Sequence, residues 1–153
     1  MKVSNVSYRK ATLSDIDFIT NLENSSFNSY DVFKKKNIKR LINNPNNSAI
    51  TEIVIYNDAS AGWSVFLSSK NKSNIRLYNI CISEEFKGRG IAYKYLTECL
   101  KSFEGKYRYV SLEVRTTNTK AIMLYEKLGF KTKQLLKEYY LDKADGYKMI
   151  KPL

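Results

Sequence analysis

The segment Lys87-Gly88-Arg89-Gly90-Ile91-Ala92 has residue types that could bind a ligand. Its two glycines follow a strand-like segment and precede a helix-like one, so their backbone N–H groups can converge on an anion. Lys87 and Arg89 add positive charge, and the dipole of the helix that begins near Ile91 favours an anion at the same place. Neither a Walker A ending nor a full G-x-G-x-x-G is present. Taken alone, the pattern fits an anion-binding loop and an ordinary turn equally well.

The inventory of reactive side chains limits the chemistry. The chain has no histidine and two cysteines, Cys81 and Cys99, which lack the spacing of metal ligands or of a disulfide framework. Histidine-based catalytic triads are therefore excluded, and a general base has to be a carboxylate, a tyrosine, a lysine or a water molecule. We expect no metal site.

Composition and charge indicate one soluble domain. A chain of 153 residues with 43% hydrophobic content fits a single core, and it shows neither a bilayer-spanning apolar run nor a signal peptide, so we expect a cytoplasmic protein. The net charge of +11 favours a polyanionic ligand, either a nucleotide cofactor or nucleic acid. A solvated, lysine-rich surface explains the same excess. The densest basic patch, Lys34 to Arg40, lacks the interleaved aromatic residues of a nucleic-acid stacking platform.

Hydrophobic periodicity and turn residues predict the elements that position these side chains. Their order is strand, two helices, three strands, helix, strand, helix and two strands, without an internal linker. Thr12 and Asp15 have capping-box spacing before the first helix, which is expected to end near Asn24. The second helix is expected to include Val32 and Phe33. This order predicts one α/β domain with a mixed, mostly antiparallel sheet.

Two motifs in this order resemble those of the Gcn5-related N-acetyltransferase (GNAT) family. The strand that ends at Ile82, followed by Lys87-x-x-Gly90-x-Ala92, resembles motif A, R/Q-x-x-G-x-G/A, with lysine in the first position. The segment from Leu112 to Phe130 resembles motif B, L-x-V-x-x-x-N-x-x-A-x-x-L-Y-x-x-x-G-F. The resemblance covers nearly the whole chain. It implies a single GNAT domain over residues 1–153, with a central mixed sheet flanked by helices.

The resemblance also implies an activity and a co-substrate. Family members transfer the acetyl group of acetyl-CoA directly to a primary amine. By resemblance, the backbone of Ile80, Cys81 and Ile82 holds the pantetheine arm, and an N–H there stabilises the oxyanion. Asn118 would contact acetyl-CoA, although its position alone indicates a helix N-cap. The pyrophosphate loop would consist of Lys87, Gly88, Arg89, Gly90, Ile91, Ala92 and Tyr93.

Glu113 and Tyr125 are the catalytic residues that the resemblance implies. Glu113 matches the glutamate taken as the general base in RimI-like ribosomal-protein alanine N-acetyltransferases, and a carboxylate can deprotonate an ammonium group. Alternatively, it is a structural glutamate paired with Arg115 or a lysine. Tyr125 matches the general acid near the CoA sulfur, since a phenol is protonated at neutral pH; its spacing alone fits a core aromatic. Cys81 is expected to pack rather than to react.

The C-terminal segment bears on the acceptor. Lys137 to Met149 is similar to the ending of protein N-terminal acetyltransferases, both RimI-like and Ard1-like. Tyr139 and Tyr140 would then line the slot for the acceptor peptide, and the loop from Phe27 to Tyr30 would lie opposite. That loop lacks the proline-tryptophan pair of many RimI-like enzymes. The resemblance therefore favours the N-terminal α-amine of a protein as the acceptor.

Other functions stay open at this point. The acceptor could be a small amine, a polyamine or a protein lysine, although the positive net charge disfavours polycations. A function of a different class is a basic nucleic-acid-binding module that uses Lys34 to Arg40 and has no acetyl-CoA affinity. We expect nucleic acid not to be a partner, no membrane association, and either a monomer or a homodimer.

Overall fold

The computed structural model describes residues 5–27, 30–71 and 73–153. Within these residues, seven strands form one sheet. They are β1 (Val6–Lys10), β2 (Ala49–Tyr56), β3 (Ala59–Ser68), β4 (Asn74–Ile82), β5 (Tyr109–Arg115), β6 (Lys131–Leu136) and β7 (Gly146–Pro152). The spatial order is β1-β2-β3-β4-β5-β7-β6, and β4 with β5 is the one parallel pair among them. The predicted mixed, mostly antiparallel sheet is confirmed.

Helices cover both faces of the sheet. In the described part of the chain they are α1 (Ile16–Ser26), α2 (Lys35–Asn43), α3 (Ile91–Phe103) and α4 (Thr119–Lys127). The apolar sides of α1 and α2 pack in one core cluster with Trp63 and Cys81. Those of α3 and α4 pack in a second cluster with Phe66 and Met149. Each face of the sheet therefore has its own core.

The start of α1 is fixed by polar contacts that the sequence predicts. Thr12 and Asp15 form a capping box, around a short 3-10 turn, Leu13–Asp15, that precedes the helix. Asp15 also accepts two hydrogen bonds from Arg9 of β1, at 2.7 and 2.9 Å. The contact with the Arg9 guanidinium lowers the pKa of the Asp15 carboxyl. The helix continues to Ser26, two residues past its predicted end near Asn24.

The second helix is shorter than predicted. It begins at Lys35, so the prediction that Val32 and Phe33 belong to it is wrong. The backbone N–H of Phe33 donates to Glu23 of α1 at 3.1 Å, and its ring packs edge-on against Trp63. These tertiary contacts hold the segment before α2 in a non-helical conformation, against its local helical pattern.

The sheet splits between β4 and β5. Their parallel pairing joins Asn74–Leu77 to Tyr109–Leu112, and beyond these residues the strands diverge. A bulge in β4 lies at the split, since Val65 pairs with Asn79 and Phe66 with Leu77, so that Tyr78 is the extra residue. Bulges bend a strand and locally re-aim its side chains. The split therefore opens a space between two neighbouring strands.

Two findings concern the described ranges only. None of their helices is long and apolar enough to cross a membrane. Nor do three carboxylate or thiol side chains in these ranges form a group that could hold a metal ion.

Candidate active site

A cleft of about 160 Å³ lies where the end of β4 meets the start of α3. Gly88 and Gly90 have φ angles of 79° and 73°, a conformation that glycine adopts without strain. A Cβ atom added to either glycine would meet nothing within 4 Å, so the backbone is open to a ligand. Gly90 is also the N-cap residue of α3. The loop can therefore present N–H groups to a phosphate, as predicted. The cleft is lined by Ile82, Phe86, Lys87, Gly88, Gly90, Ile91, Ala92, Tyr93 and Leu124.

The cations of this loop are exposed. Lys87 Nζ lies 2.9 Å from Glu84 Oε2, and an exposed ion pair of this kind is weak. The Arg89 guanidinium lies 5.7 Å from the ring centroid of Tyr56 and is not among the residues that line the cleft. Both charges can still attract an anion to the mouth of the cleft.

A second cavity, of about 310 Å³, occupies the split between β4 and β5. We call it the acceptor cavity. Its polar lining residues are Asp31, Asn79, Glu113, Arg115 and Asn118. Its six aromatic lining residues are Phe27, Tyr30, Phe33, Tyr78, Tyr125 and Tyr140.

Residues that are close in sequence line the cleft and the acceptor cavity at two places. On β4, Ile80 lines the acceptor cavity and Ile82 lines the cleft. On α4, Tyr125 lines the acceptor cavity and its neighbour Leu124 lines the cleft. A ligand in the cleft can thus present its end to a molecule in the acceptor cavity.

Tyr125 is a core residue that also reaches the acceptor cavity. It is 8% exposed, and its ring packs edge-on against Phe130. Burial raises the pKa of its phenol to about 12. The hydroxyl therefore holds its proton at neutral pH and can donate it. The two interpretations that the sequence allowed, core packing and a place in the site, are compatible in one side chain.

Glu113 is paired with Arg76 of β4. Arg76 Nε donates to Glu113 Oε2 at 2.8 Å, and the Glu113 side chain is 16% exposed. The ion pair that the alternative interpretation expected for Glu113 is thus present, but its partner is Arg76 rather than Arg115 or a lysine. Arg76 lies on the adjacent strand β4 opposite Ser111, so it reaches Glu113 along the diagonal, and Arg115 is engaged by two aspartates, Asp31 and Asp142. Glu113 thus faces the cavity with one fixed cationic neighbour.

The predicted acceptor residues divide between the cavity and its rim. Phe27, Tyr30 and Tyr140 line the cavity, whereas Asn28 and Ser29 of the same predicted loop lie outside the described residues. Burial raises the pKa of Tyr140 to about 12. Tyr139 is not part of the lining. It is 44% exposed and lies at the rim, where its hydroxyl accepts a 3.4 Å hydrogen bond from Arg76.

Four of the predicted acetyl-CoA contacts do not line the cleft: Ile80, Cys81, Arg89 and Asn118. The side chain of Cys81 is buried on the opposite face, in the core beneath α1 and α2, and burial raises the pKa of its thiol to about 11. Cys81 thus packs as expected. Asn118 is an N-cap, since its side chain accepts from Ala121 N at 3.2 Å, and it lines the acceptor cavity. Its contact with acetyl-CoA stays a prediction.

Glu23 holds residues of the acceptor-cavity wall in place through hydrogen bonds. This role was not predicted from the sequence. It is fully buried and accepts hydrogen bonds from Trp63 Nε1 at 2.8 Å and Asn79 Nδ2 at 2.9 Å, besides the one from Phe33. Asn79 and Phe33 both line the cavity. Asp31, Arg76 and Arg115 were missed as well, although Arg115 lies within the motif that supplied Glu113.

A sheet of this order, split beside a glycine loop that opens a helix, defines an acetyltransferase domain of the GNAT class. The model of the Acetyltransferase (GNAT) family matches residues 16–130, and the chain belongs to this family. It is 44% identical to an N-alpha-acetyltransferase of Saccharolobus solfataricus over 77 residues, which are 49% of this chain and 46% of that relative. The chain thus spans about half the length of the curated relatives it matches.

Solved structures agree on the fold. Ard1 from Thermoplasma volcanium superposes with a TM-score of 0.83 at 22% identity, over 97% of each chain. A chimera of the spermidine N-acetyltransferase SpeG from Vibrio cholerae gives the same TM-score at 22% identity, over 96% of this chain and 95% of that one. Because a protein named for spermidine fits as well as Ard1 does, the fold alone does not select the acceptor.

Proposed function

We propose that this protein transfers the acetyl group of acetyl-CoA to a primary amine, and that the amine is the N-terminal α-amine of a polypeptide. The observation that carries the proposal is the junction of the cleft and the acceptor cavity at Ile80, Ile82, Leu124 and Tyr125. An amine held on one side of this junction lies beside a thioester held on the other. Such positioning supplies much of the rate enhancement of a two-substrate transfer.

The residues of the cleft fit acetyl-CoA. Gly88 and Gly90 leave their backbone open, the first turn of α3 offers N–H groups to a pyrophosphate, and Lys87 adds positive charge. Ile82, Phe86 and Leu124 give an apolar surface for the pantetheine arm. When bound, acetyl-CoA supplies an activated thioester.

The acceptor cavity supplies the groups that move protons. Glu113 can take a proton from the acceptor ammonium, directly or through water, which frees the nitrogen lone pair for attack on the thioester carbon. As the carbon–sulfur bond breaks, the Tyr125 hydroxyl can give its proton to the departing sulfur, and the proton that the acylated nitrogen then loses can restore the phenol. The raised pKa of Tyr125 keeps that proton in place at neutral pH.

The shape of the acceptor cavity favours a polypeptide. Three of its surrounding aromatic residues, Tyr30, Tyr78 and Tyr139, are 55%, 40% and 44% exposed. They extend the aromatic surface from the cavity lining to the rim, where residues that follow an N-terminal amine would lie. A small amine would use the cavity alone. The relatives named N-alpha-acetyltransferases, and the tail that carries Tyr139 and Tyr140, support the same choice.

Calorimetry with acetyl-CoA and a transfer assay test this proposal. We expect micromolar binding of acetyl-CoA and acetylation of synthetic peptides with a free N-terminus. Peptides with a blocked N-terminus and an internal lysine, and spermidine, serve as controls. Transfer to spermidine at a higher kcat/KM than to every peptide would overturn the acceptor assignment, and no binding of acetyl-CoA at tens of micromolar would overturn the enzyme itself.

A further inference from the structure

We propose that Arg115 is a positioning residue that ties together two loops of the acceptor cavity and thereby sets the KM for the acceptor. The loops are residues 30–34, before α2, and residues 137–145, between β6 and β7. This inference rests on the proposed function and deepens it. Arg115 is not a reacting group in the proton transfers proposed for Glu113 and Tyr125.

Arg115 uses three of its nitrogen atoms on two carboxylates. Nε and Nη2 each donate to an oxygen of Asp31 at 2.8 Å. Nη1 donates to both oxygens of Asp142, at 3.0 and 3.2 Å. Asp31 lies 84 residues and Asp142 27 residues from Arg115 along the chain. The planar fork of a guanidinium is suited to such paired contacts, and a lysine ammonium is not.

The cluster is only partly shielded from solvent, and Asp142 is its member at the surface. The side chains of Arg115, Asp31 and Asp142 are 18%, 24% and 27% exposed. The guanidinium carbon also lies 4.3 Å from the ring centroid of Tyr140. Hydrogen bonding to Arg115 lowers the pKa of Asp142. Arg115 therefore contacts one loop through Asp31 and the other through both Asp142 and Tyr140.

The anchor itself belongs to the sheet. Arg115 is the last residue of β5 and pairs with Gly146 of β7, where a Cβ atom would approach Tyr140 to 3.0 Å. The 137–145 loop has its own contacts, including Thr116 N to Asp145 O at 3.1 Å. These contacts run between that loop and the strand, whereas Arg115 joins both loops to the same point.

The consequence concerns acceptor binding rather than the chemical step. Tyr30 and Asp31 on one loop and Tyr140 on the other line the same cavity. Without the Arg115 contacts, binding the acceptor has to order these loops, and that cost appears in the apparent affinity. The glycine cleft shares none of these residues. The acceptor KM should therefore rise while acetyl-CoA affinity is kept.

Kinetics of Arg115→Gln, Arg115→Lys and Asp142→Asn with an N-terminal peptide test the inference. For Arg115→Gln we expect an acceptor KM raised roughly tenfold, with kcat changed less than about threefold and the Kd for acetyl-CoA less than about twofold. Arg115→Lys keeps the charge but not the fork, so it should restore only part of the loss. An unchanged KM in folded Arg115→Gln, or an equal fall in kcat and rise in KM, would overturn the inference.

Hydrogen exchange of the ligand-free protein gives a readout that does not need activity. Amides of residues 30–34 and 137–145 should exchange faster in Arg115→Lys than in the wild type, and those of residues 137–145 also in Asp142→Asn, which leaves the contact of Arg115 with Asp31 in place. The α3 helix should exchange at an unchanged rate. If Arg115→Gln does not fold, Asp142→Asn, which removes one carboxylate at the surface, decides by the same readout. Unchanged exchange in both loops would show that Arg115 does not hold them, and the inference would be wrong. If the wild-type protein has no transferase activity while the variants exchange as expected, the proposed function is wrong and the contacts of Arg115 are not.

Discussion

The cleft of the glycine loop and the acceptor cavity are built in different ways. The cleft is almost entirely one continuous segment, from Ile82 to Tyr93, and its open surface is backbone. The acceptor cavity takes side chains from the segment before α2, from β4, β5 and α4, and from the 137–145 loop. Function in the cleft thus depends on local φ angles, whereas function in the cavity depends on side chains that tertiary contacts bring together.

The largest effect is expected from the proton-moving side chains of the cavity. Tyr125→Phe and Glu113→Gln should each lower kcat by about a hundredfold or more, since general acids and bases contribute factors of this size. The Kd for acetyl-CoA should stay nearly unchanged. Stopped-time transfer assays with saturating peptide, together with calorimetry, measure both quantities.

If neither substitution changes kcat, the assignment of these two residues is wrong, although family membership stands. The pH profile adds a second check. Because burial raises the pKa of Tyr125 to about 12, its proton is lost only at high pH. The wild-type rate should therefore show no alkaline limb from Tyr125 below about pH 10, and Tyr125→Phe should lower the rate by a similar factor across the neutral range.

A smaller effect is expected in the cleft, where the backbone matters. Gly90→Ala places a Cβ in the open space above the loop and forces alanine to a φ near 73°. We expect the Kd for acetyl-CoA to rise about tenfold, which corresponds to about 1.4 kcal/mol, with the acceptor KM unchanged.

Gly105→Ala is the matched control for that change. Gly105 has a φ of 79°, and a Cβ there would likewise meet nothing within 4 Å, but it follows α3 at the end away from the cleft. Both variants should lose similar amounts of thermal stability, since both strain a left-handed residue. Equal losses of acetyl-CoA affinity in the two would show that strain, rather than contact with the ligand, causes the effect.

The smallest effect is expected at Glu52, which lines neither the cleft nor the cavity. Its carboxylate accepts a hydrogen bond from the Tyr95 hydroxyl at 2.6 Å, and burial raises its pKa despite that bond. A carboxyl whose pKa is higher in the folded state destabilises the fold as pH rises through that pKa. Glu52→Gln should therefore stabilise the protein at pH 8, with the gain vanishing towards pH 4.

Because Glu52 is only half-buried and its charge is partly screened, the gain should be below about 1 kcal/mol. Urea unfolding at the two pH values measures it. Neither the Kd for acetyl-CoA nor the acceptor KM should change. A stabilisation of the same size at pH 4 and pH 8 would mean that packing, rather than charge, is responsible.

The same contrast explains what the sequence could predict. The glycine loop, the strand before it and the helix after it are contiguous, so pattern and spacing were sufficient to find them. Strands and loops that are distant in sequence bring Glu113 to Arg76. They likewise bring Arg115 to Asp31 and Asp142. No local sequence pattern contains this information.

The error at the start of α2 has the same origin. Val32 and Phe33 continue the helical pattern of the following residues, but the buried carboxylate of Glu23 takes the N–H of Phe33. A partner ten residues away along the chain thus overrides local propensity. The order of elements and the mostly antiparallel sheet were predictable because each strand has its own turn signals.

The split between β4 and β5 has a mechanical consequence. Four residue pairs join strands β1 to β4 to strands β5, β7 and β6. The sheet therefore has two parts that are hydrogen-bonded to each other along a short edge only. An acceptor bound in the split would occupy the space where strand pairing is missing and would contact both parts of the sheet beyond these four pairs. The melting temperature of the whole domain should therefore rise as a ligand fills the split. In this fold, a bound substrate therefore also helps to hold the two parts of the sheet together.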